Sequence, residues 1–186
     1  AKLQSIKDKQ GYGKTLTMKQ KYIWNKRNNR VNDYLSKSAR IIINYCLENN
    51  IGTLVCGYNN DFQRNSDIGK KNNQNFVNIP FSKLQSKLEY LCEFYGIKYV
   101  DQEESYTSKA SFFDMNIIPE YKEKDNIEYS FSGKRVRRGM YKTLKGYILN
   151  ADVNGALNIL KKSKVVDLEV LYHRGEVDTP VRIRVS

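Results

Sequence analysis

The sequence predicts an α/β fold, and three observations carry this prediction. A long helical pattern leads into a short apolar run, a second helical pattern follows, and another apolar run comes directly after it. Strands that alternate with helices are typical of a parallel sheet. The chain has 186 residues, 40% of them hydrophobic, which suits one compact domain with a sizeable core.

The first predicted helix covers residues 18–50. Apolar side chains recur in it at helical spacing, while Lys and Arg fill the other positions. Asn49, Asn50 and Gly52 end it. The apolar positions are Val31, Tyr34, Leu35, Ile42, Tyr45 and Cys46.

Residues 53–103 predict a strand, a helix and a second strand. Residues 53–58 (TLVCGY) are nearly all apolar, which favours a central strand with both faces covered. Pro80 opens the helix, and Gly96 stands where a left-handed C-cap is required. Residues 97–103 form the second strand, parallel to the first. The helix has its apolar positions at Phe81, Leu84, Leu88, Leu91 and Tyr95.

The remaining segments are less regular. Residues 59–79 are rich in Asn, Lys and Gly and predict a long surface loop. Residues 105–149 show no period, and we expect them to be irregular. A last helix is predicted from the spacing of Val153, Ala156, Leu157 and Leu160.

The charge balance indicates a polyanionic partner. Lys and Arg number 32 against 20 Asp and Glu, a formal charge of +12, so nucleic acid is the leading partner. No long apolar span and no apolar leader are visible, so we expect a soluble, cytosolic protein without a membrane partner. The N-terminal residues read as a connector cut from a longer chain. Cys46, Cys56 and Cys92 are single residues in apolar stretches and predict reduced core thiols, not a disulfide or zinc site.

Acidic residues at two element ends are the candidate catalytic groups. Glu103 and Glu104 end the second strand, where open α/β sheets place functional side chains. Asp152 lies in the first turn of the last helix. The alternatives stay open: an acid in a first turn serves the helix cap or dipole, and acids at strand ends are mostly solvated.

A basic cluster is the candidate nucleic-acid surface. Its cations would grip phosphates, while Phe131 and Tyr141 beside it would stack on bases. A solvated charged loop is the alternative. The predicted contact residues are Lys109, Lys134, Arg135, Arg137, Arg138, Tyr141 and Lys142.

Three strings resemble the C-terminal region of OrfB/TnpB proteins of bacterial insertion sequences. They are QEESYTSKASFFD at 102–114, FSGKRVRRGMY at 131–141 and NADVNGALNIL at 150–160, and the tail DTPVRIRVS resembles that region too. The resemblance covers essentially this whole chain but about the latter half of a family member. It implies a partial RNase H-like (RuvC-like) domain with a zinc-ribbon-like insertion. It also implies a transposase-like, RNA-guided DNA endonuclease of the bacterial cytoplasm, with DNA and guide RNA as partners.

The resemblance also implies a magnesium site built from three acids. Asp152 matches the third acid. Gly57 stands where the second is usual, but some members carry a glutamate in an ExxTSK string, which Glu104 fits and Glu103 misses by one residue. We therefore expect Mg²⁺ on Glu104 and Asp152, with Glu103 as the runner-up.

Two departures from the family pattern limit this expectation. The Gly-Ile-Asp string of the first acid is absent from residues 1–186, so magnesium should bind weakly or not at all, and the chain should be inactive alone. Residues 105–151 contain no cysteine, and residues 111–114 (SFFD) take the place of the first ribbon pair, so we expect no zinc. Phe112, Phe113 and Tyr129 should hold the insertion instead.

These observations predict an order of segments and leave two functions open. The segments are a connector (1–16), a core part (17–104), the insertion (105–149), the last helix (150–163) and a tail (164–186). The first function is an incomplete nuclease; the alternative is a non-catalytic, basic nucleic-acid-binding remnant of a decayed insertion sequence.

Overall fold

The computed structural model describes residues 16–58, 80–120, 129–174, 177 and 180–185. The loop predicted over residues 59–79 lies outside the described residues, as do nearly all of the predicted connector and parts of the predicted tail. Within the described ranges, no helix is long and apolar enough to cross a membrane.

Helix α1, Met18–Glu48, confirms the long basic helix. Thr17 caps its N-terminus by accepting a hydrogen bond from the Gln20 amide, and the Gln20 side chain accepts from the Thr17 amide in return. Tyr34 and Tyr45, predicted on the apolar face, are 54% and 59% exposed, because they lie off the row that faces the core. That row is Leu35, Ala39, Ile43 and Cys46.

Strands β1 (Thr53–Tyr58) and β2 (Lys98–Glu103) pair in parallel. Helix α2, Phe81–Tyr95, lies between them in the chain, and Gly96 ends it with a φ of 71°, as predicted. All six residues of β1 are half-buried, and within the described residues β1 pairs with β2 alone. The described residues supply no second neighbour for β1, so its place as a central strand stays a prediction.

The first hydrophobic core joins α1, α2 and the parallel sheet. Ile43 and Leu88 are its large aliphatic side chains, and Leu54 of β1 packs against them. Its three cysteines are free thiols, as predicted, with Cys46 and Cys92 buried. Burial raises the pKa of Cys92 to about 11, so this thiol stays protonated at neutral pH.

A small antiparallel sheet follows, which corrects the prediction that residues 105–149 are irregular. Its strands are β3 (Lys134–Arg137), β4 (Met140–Lys142) and β5 (Ile148–Asn150), in the order β3-β4-β5. Gly139, with a φ of 75°, turns the β3–β4 hairpin. The strands have three or four residues each, and every residue of β3 is exposed, so the sequence offers no alternation to reveal them.

The second hydrophobic core joins this sheet to helices α3 (Ala151–Ser163) and α4 (Glu169–Arg174). Phe112 lies at its centre, with its ring stacked on Tyr172 at 4.8 Å and edge-on to Phe113 at 5.3 Å. The predicted roles of Phe112 and Phe113 are thus confirmed. Tyr129 does not belong to this core; its half-buried ring packs edge-on against Tyr106 at 5.2 Å.

A polar network completes the insertion. Asp114 Oδ2 accepts hydrogen bonds from the Leu144 amide at 2.8 Å and the Ser132 hydroxyl at 2.9 Å, and Asn116 donates to Ser132 at 2.9 Å. This oxygen-rich set does not fit structural zinc, which takes Cys and His ligands. In the described residues, no group of three or more His, Cys, Asp or Glu is arranged to hold a metal ion.

We predict that Asp114→Ala destabilises the fold by about 1–2 kcal/mol, because two donors lose a charged acceptor that is half-buried. Burial opposes the ionised form of Asp114, but the hydrogen bonds it accepts outweigh burial and lower its pKa. Its contribution is therefore present above the ordinary pKa of 3.8 and is lost as pH falls through the lower folded pKa.

Urea unfolding of the two proteins at neutral and acidic pH measures this difference. The exposed Glu89 on α2 supplies the control, Glu89→Ala, whose stability should equal that of the wild type. A stability gap between wild type and Asp114→Ala that does not narrow at acidic pH would contradict the prediction.

Candidate functional site

Helix α3 carries the candidate site on a polar face that the sequence did not predict. The helix contacts β1 and β2. Its buried residues are Ala151, Asn154 and Asn158, whereas Ala156, predicted on the buried face, is exposed. Leu157 and Leu160 are half-buried against the second core. The helix therefore presents an apolar side to one core and a polar side to residues 103–112.

Three side chains on α3 hold the backbone of residues 103–112. Asn154 donates to the Ala110 carbonyl at 2.8 Å and accepts from the Phe112 amide at 3.1 Å. Asn158 donates to the carbonyls of Thr107 and Ala110 at 2.9 and 2.7 Å. Lys162 pairs with the Glu103 carboxylate. Residues 154, 158 and 162 are spaced by four, so they form one row along the helix, which we call the polar row.

Glu104 follows β2 directly, and its backbone is held on both sides. Its amide donates to the Tyr58 carbonyl at 3.1 Å, and its carbonyl accepts from the Thr107 hydroxyl at 2.7 Å and the Thr107 amide at 3.2 Å. The bond to Tyr58 continues the pairing of β1 with the chain that follows β2, and the two bonds from Thr107 form a turn. The side chain is half-buried.

The Glu104 carboxylate fills the space above Gly57. A Cβ atom added at Gly57 would lie 2.7 Å from Glu104 Oε2, 3.5 Å from Glu104 Cβ and 2.7 Å from Ile159 Cδ1. A side chain at position 57 and the carboxylate of Glu104 therefore compete for one place. Burial, and secondarily the charge of Glu103, raises the pKa of Glu104. No hydrogen bond or ion pair joins this carboxylate to another residue in the described ranges.

Glu103, the alternative candidate for the metal ligand, already has hydrogen-bonding partners within the chain. Its carboxylate accepts from Lys162 and from the Ser105 amide, and the Lys162 side chain is only 8% exposed. Burial alone would raise the pKa of Glu103, but these hydrogen bonds outweigh it and hold the pKa below its usual value. Of the two neighbouring acids, Glu103 is paired and Glu104 is not paired with any described residue.

Asp152 lies in the first turn of α3, but it does not cap the helix. The Asn150 side chain caps it by accepting from the amides of Asp152 and Val153 at 2.8 and 3.1 Å. The Asp152 side chain is 88% exposed, and Arg135 lies 3.7 Å from its carboxylate. Asp152 precedes Ile159 by seven residues, so the two lie on one side of the helix, about 10 Å apart along its axis. Ile159 Cδ1 and Glu104 Oε2 both lie 2.7 Å from the place that a Gly57 Cβ would take, so the Glu104 carboxylate is near the part of α3 that lies about two turns after Asp152.

The predicted basic cluster lies on the β3–β4 hairpin. Its five cations are exposed: Lys134, Arg135, Arg137, Arg138 and Lys142. Tyr141 is 1% exposed, and its hydroxyl donates to the Lys109 carbonyl at 2.7 Å. The prediction that Tyr141 stacks on a base is wrong for this structure, because its ring belongs to the second core.

A groove of about 320 Å³ runs between the hairpin and the turn that carries Lys109. Lys109, Lys134 and Arg135 line it with positive charge, and Phe131 adds an aromatic wall. Phe131 itself lies beside Tyr106, with ring centres 6.4 Å apart. Because Arg135 also reaches Asp152, the groove leads towards a candidate catalytic acid.

Sequence reasoning missed the polar row. The available signal was two asparagines spaced by four within the helical pattern of residues 150–160. The sequence predicts an apolar face there because Val153, Ala156, Leu157 and Leu160 recur at helical spacing beside these asparagines. Which face lies against residues 103–112 is a property of the packing.

Two family models match the chain. The one described as "Probable transposase" (OrfB_IS605) matches residues 1–63, and "Cas12f1-like, TNB domain" matches residues 81–159. Comparison with curated proteins gives no match.

One solved structure with a similar fold is the cryo-EM structure of a Cas12f1-sgRNA-target DNA complex. The TM-score is 0.56 and the identity 22%, and the alignment covers 76% of this chain and 36% of that chain. The likeness concerns the fold, a mixed α/β arrangement with small sheets. The two family matches follow one another along the sequence, and the second contains nearly all of the strings at 102–114, 131–141 and 150–160. Together with the similar fold, they identify this chain as a fragment of a TnpB-type protein.

Proposed function

We propose that this chain forms part of the nuclease centre of a transposon-encoded, RNA-guided DNA endonuclease in the bacterial cytoplasm. In this proposal β1, β2 and α3 belong to an RNase H-like (RuvC-like) domain, and Glu104 and Asp152 are magnesium ligands. The observation that carries the proposal is the Glu104 carboxylate above Gly57. In this group a glutamate is usual at the position of Gly57, and here a neighbouring strand supplies a carboxylate to the same place.

The donor set fits magnesium, which prefers carboxylate oxygens and retains several waters. Glu104 offers a half-buried carboxylate that no described residue neutralises, and Asp152 offers an exposed one. When bound, the ion would activate a water and stabilise the leaving oxygen of a phosphodiester. The chain holds Glu104 in place through Tyr58 and Thr107. Because its pKa is raised, protons compete with the cation for this carboxylate as pH falls.

The hairpin and its groove support nucleic acid as the partner. Exposed cations on β3 and β4 neutralise phosphates, and Phe131 offers a ring to a base. The Cas12f1 structure is that of a complex with sgRNA and target DNA. We extend this to the present chain and propose DNA and a guide RNA as its partners.

One observation favours the second function, a basic nucleic-acid binder without catalysis. Arg135 lies 3.7 Å from Asp152, so a cation of the protein already faces one of the two proposed ligands. The pair is exposed and therefore weak, and a divalent ion can displace it. Metal binding separates the two functions, because the second requires none.

The metal site predicts that Mn²⁺, used as a spectroscopic substitute for Mg²⁺, binds weakly to the chain. Glu104→Gln and Asp152→Asn should each weaken binding, since each removes an anionic ligand. The exchange variant Gly57→Glu/Glu104→Gly should bind Mn²⁺ again, because it returns a carboxylate to the same place from β1. Titration followed by electron paramagnetic resonance measures the affinity, with Glu89→Gln as the control. Equal affinity in wild type and Glu104→Gln would remove Glu104 from the site.

The hairpin predicts salt-dependent binding to duplex DNA. Each phosphate neutralised contributes about 0.9 to the slope of log affinity against log salt, so replacing Arg135, Arg137 and Arg138 with Ser should lower the slope by about 2–3. A control with the same change in charge replaces Lys83, Lys87 and Lys98, which lie on α2 and at the start of β2. If the control lowers the slope as much as the hairpin variant does, the hairpin is not the contact surface.

The chain is predicted not to cut DNA by itself, because residues 1–186 contain two of the three acids that the family uses. Cleavage of labelled DNA is assayed with Mg²⁺, first with the chain alone and then with a family N-terminal half and its guide RNA added. If DNA cleavage appears when the N-terminal half and guide RNA are added, and is lost in Glu104→Ala or Asp152→Ala, the proposed roles of these acids are supported. Activity of the chain alone that is lost in Asp152→Ala would show that the site is already complete.

A further inference from the structure

Glu103 ends β2 and Glu104 follows it directly, and the buried ammonium group of Lys162 pairs with Glu103. We propose that Lys162 is a positioning residue: by binding Glu103, it fixes the end of β2 so that the Glu104 carboxylate stands above Gly57. The importance of this placement for metal binding rests on the proposed function. The placement itself is a separate claim with its own measurement.

Lys162 contacts the residues on both sides of Glu104. Its ammonium group binds the Glu103 carboxylate and lies 3.4 Å from the Ser105 carbonyl. The Ser105 amide also binds Glu103, which closes a small ring of contacts around residue 104. Together with the bonds to Tyr58 and Thr107, these contacts leave the Glu104 side chain as the part still able to rotate.

The polar row determines where Lys162 meets the strand end. Asn154 and Asn158 bind backbone groups of residues 107–112, and Lys162 continues the row by one further turn. That turn brings the ammonium group to residues 103 and 105. A Lys162 that paired with Glu104 would neutralise the carboxylate and repel a divalent cation. The register of α3 against the turn thus selects Glu103 for the ion pair and leaves Glu104 for a ligand.

An ion pair that only stabilised the fold would not control the position of residue 104. Breaking a buried pair by removing one partner is strongly destabilising wherever it lies. A loss of stability in a Lys162 variant therefore does not distinguish the two roles. The position of residue 104 relative to Gly57 does, and it can be measured without any metal.

The measurement is disulfide formation between cysteines placed at positions 57 and 104. A Cβ at position 57 lies 3.5 Å from Glu104 Cβ, inside the range of about 3.5–4.5 Å that disulfides use. The variant Gly57→Cys/Glu104→Cys is made with Cys56→Ser, which removes the neighbouring thiol. Oxidation under limiting conditions, followed by mass spectrometry of the linked peptides, gives the rate of crosslinking.

Lys162→Met in this background should slow the crosslink on the order of tenfold, because small misplacements of reacting groups cost large factors in rate. Glu103→Lys/Lys162→Glu, which reverses the pair, should restore the rate. Leu88→Ala, in the first core, serves as a matched control that lowers stability without touching residues 103–105. If Lys162→Met does not fold, Glu103→Gln is used, since it weakens the pair and keeps an acceptor.

Two results would overturn the inference: a folded Lys162→Met or Glu103→Gln variant that crosslinks at the parent rate, or a Leu88→Ala variant that slows the crosslink equally. Mn²⁺ titration separates this failure from failure of the proposed function. If Glu104→Gln leaves Mn²⁺ affinity unchanged while the crosslink still depends on Lys162, the positioning stands and the metal site fails. The alternative result is that Glu104→Gln weakens Mn²⁺ binding and Lys162→Met slows the crosslink. In that case, weaker Mn²⁺ binding in Lys162→Met, with no change in Leu88→Ala, supports both the metal site and the positioning role of Lys162.

Discussion

The hydrogen bonds between α3 and the buried carbonyls of Thr107 and Ala110 are the constraint on which the rest of the site depends. These carbonyls lie in a turn where neither a helix nor a sheet supplies the donors that they receive, and Asn154 and Asn158 supply them. A buried carbonyl left without a donor costs about 1–3 kcal/mol. The turn therefore holds its shape only while α3 lies against it in this register. Phe112 and its neighbours enter the second core from the same turn, so that core depends on this register as well.

The same constraint links the two candidate acids. Asp152 lies in the first turn of the helix whose polar row holds residues 107–112, and Glu104 directly precedes that turn of the chain. A shift of α3 along its axis would move both acids relative to each other and would separate Lys162 from Glu103. Chemically identical neighbours thus acquire different roles: Glu103 has a lowered pKa within an ion pair, whereas Glu104 has a raised pKa and no described partner. Gly57 completes the arrangement, since any larger residue would occupy the place of the Glu104 carboxylate.

Polar and aromatic contacts hold the small sheet in the described part of the insertion. Asp114, Ser132 and the Leu144 amide form a polar network on one side, and the rings of Phe112 and Tyr141 fill the other. Tyr141 serves this packing, with a pKa that burial raises to about 12 and a hydroxyl that donates to Lys109. Its burial leaves the exposed cations of the hairpin, and Phe131 in the groove, as the surface offered to a nucleic acid.

The sequence by itself determined the features that depend on the local spacing of apolar residues and on residues that end helices, such as Gly96. Helix α1, the strand-helix-strand unit with Gly96 at its cap, the reduced cysteines and the core role of Phe112 follow from residues close together in the chain. The tertiary structure decided which face of α3 is buried, that residues 134–150 form a sheet, that Tyr141 is inside, and that Glu104 rather than Glu103 remains unpaired among the described residues. The burial of α3 and of Tyr141 and the pairing of Lys162 with Glu103 depend on partners far away in the sequence, which side-chain spacing does not reveal. The sheet pairs residues that are close in the chain, but its strands are too short to show an alternating pattern.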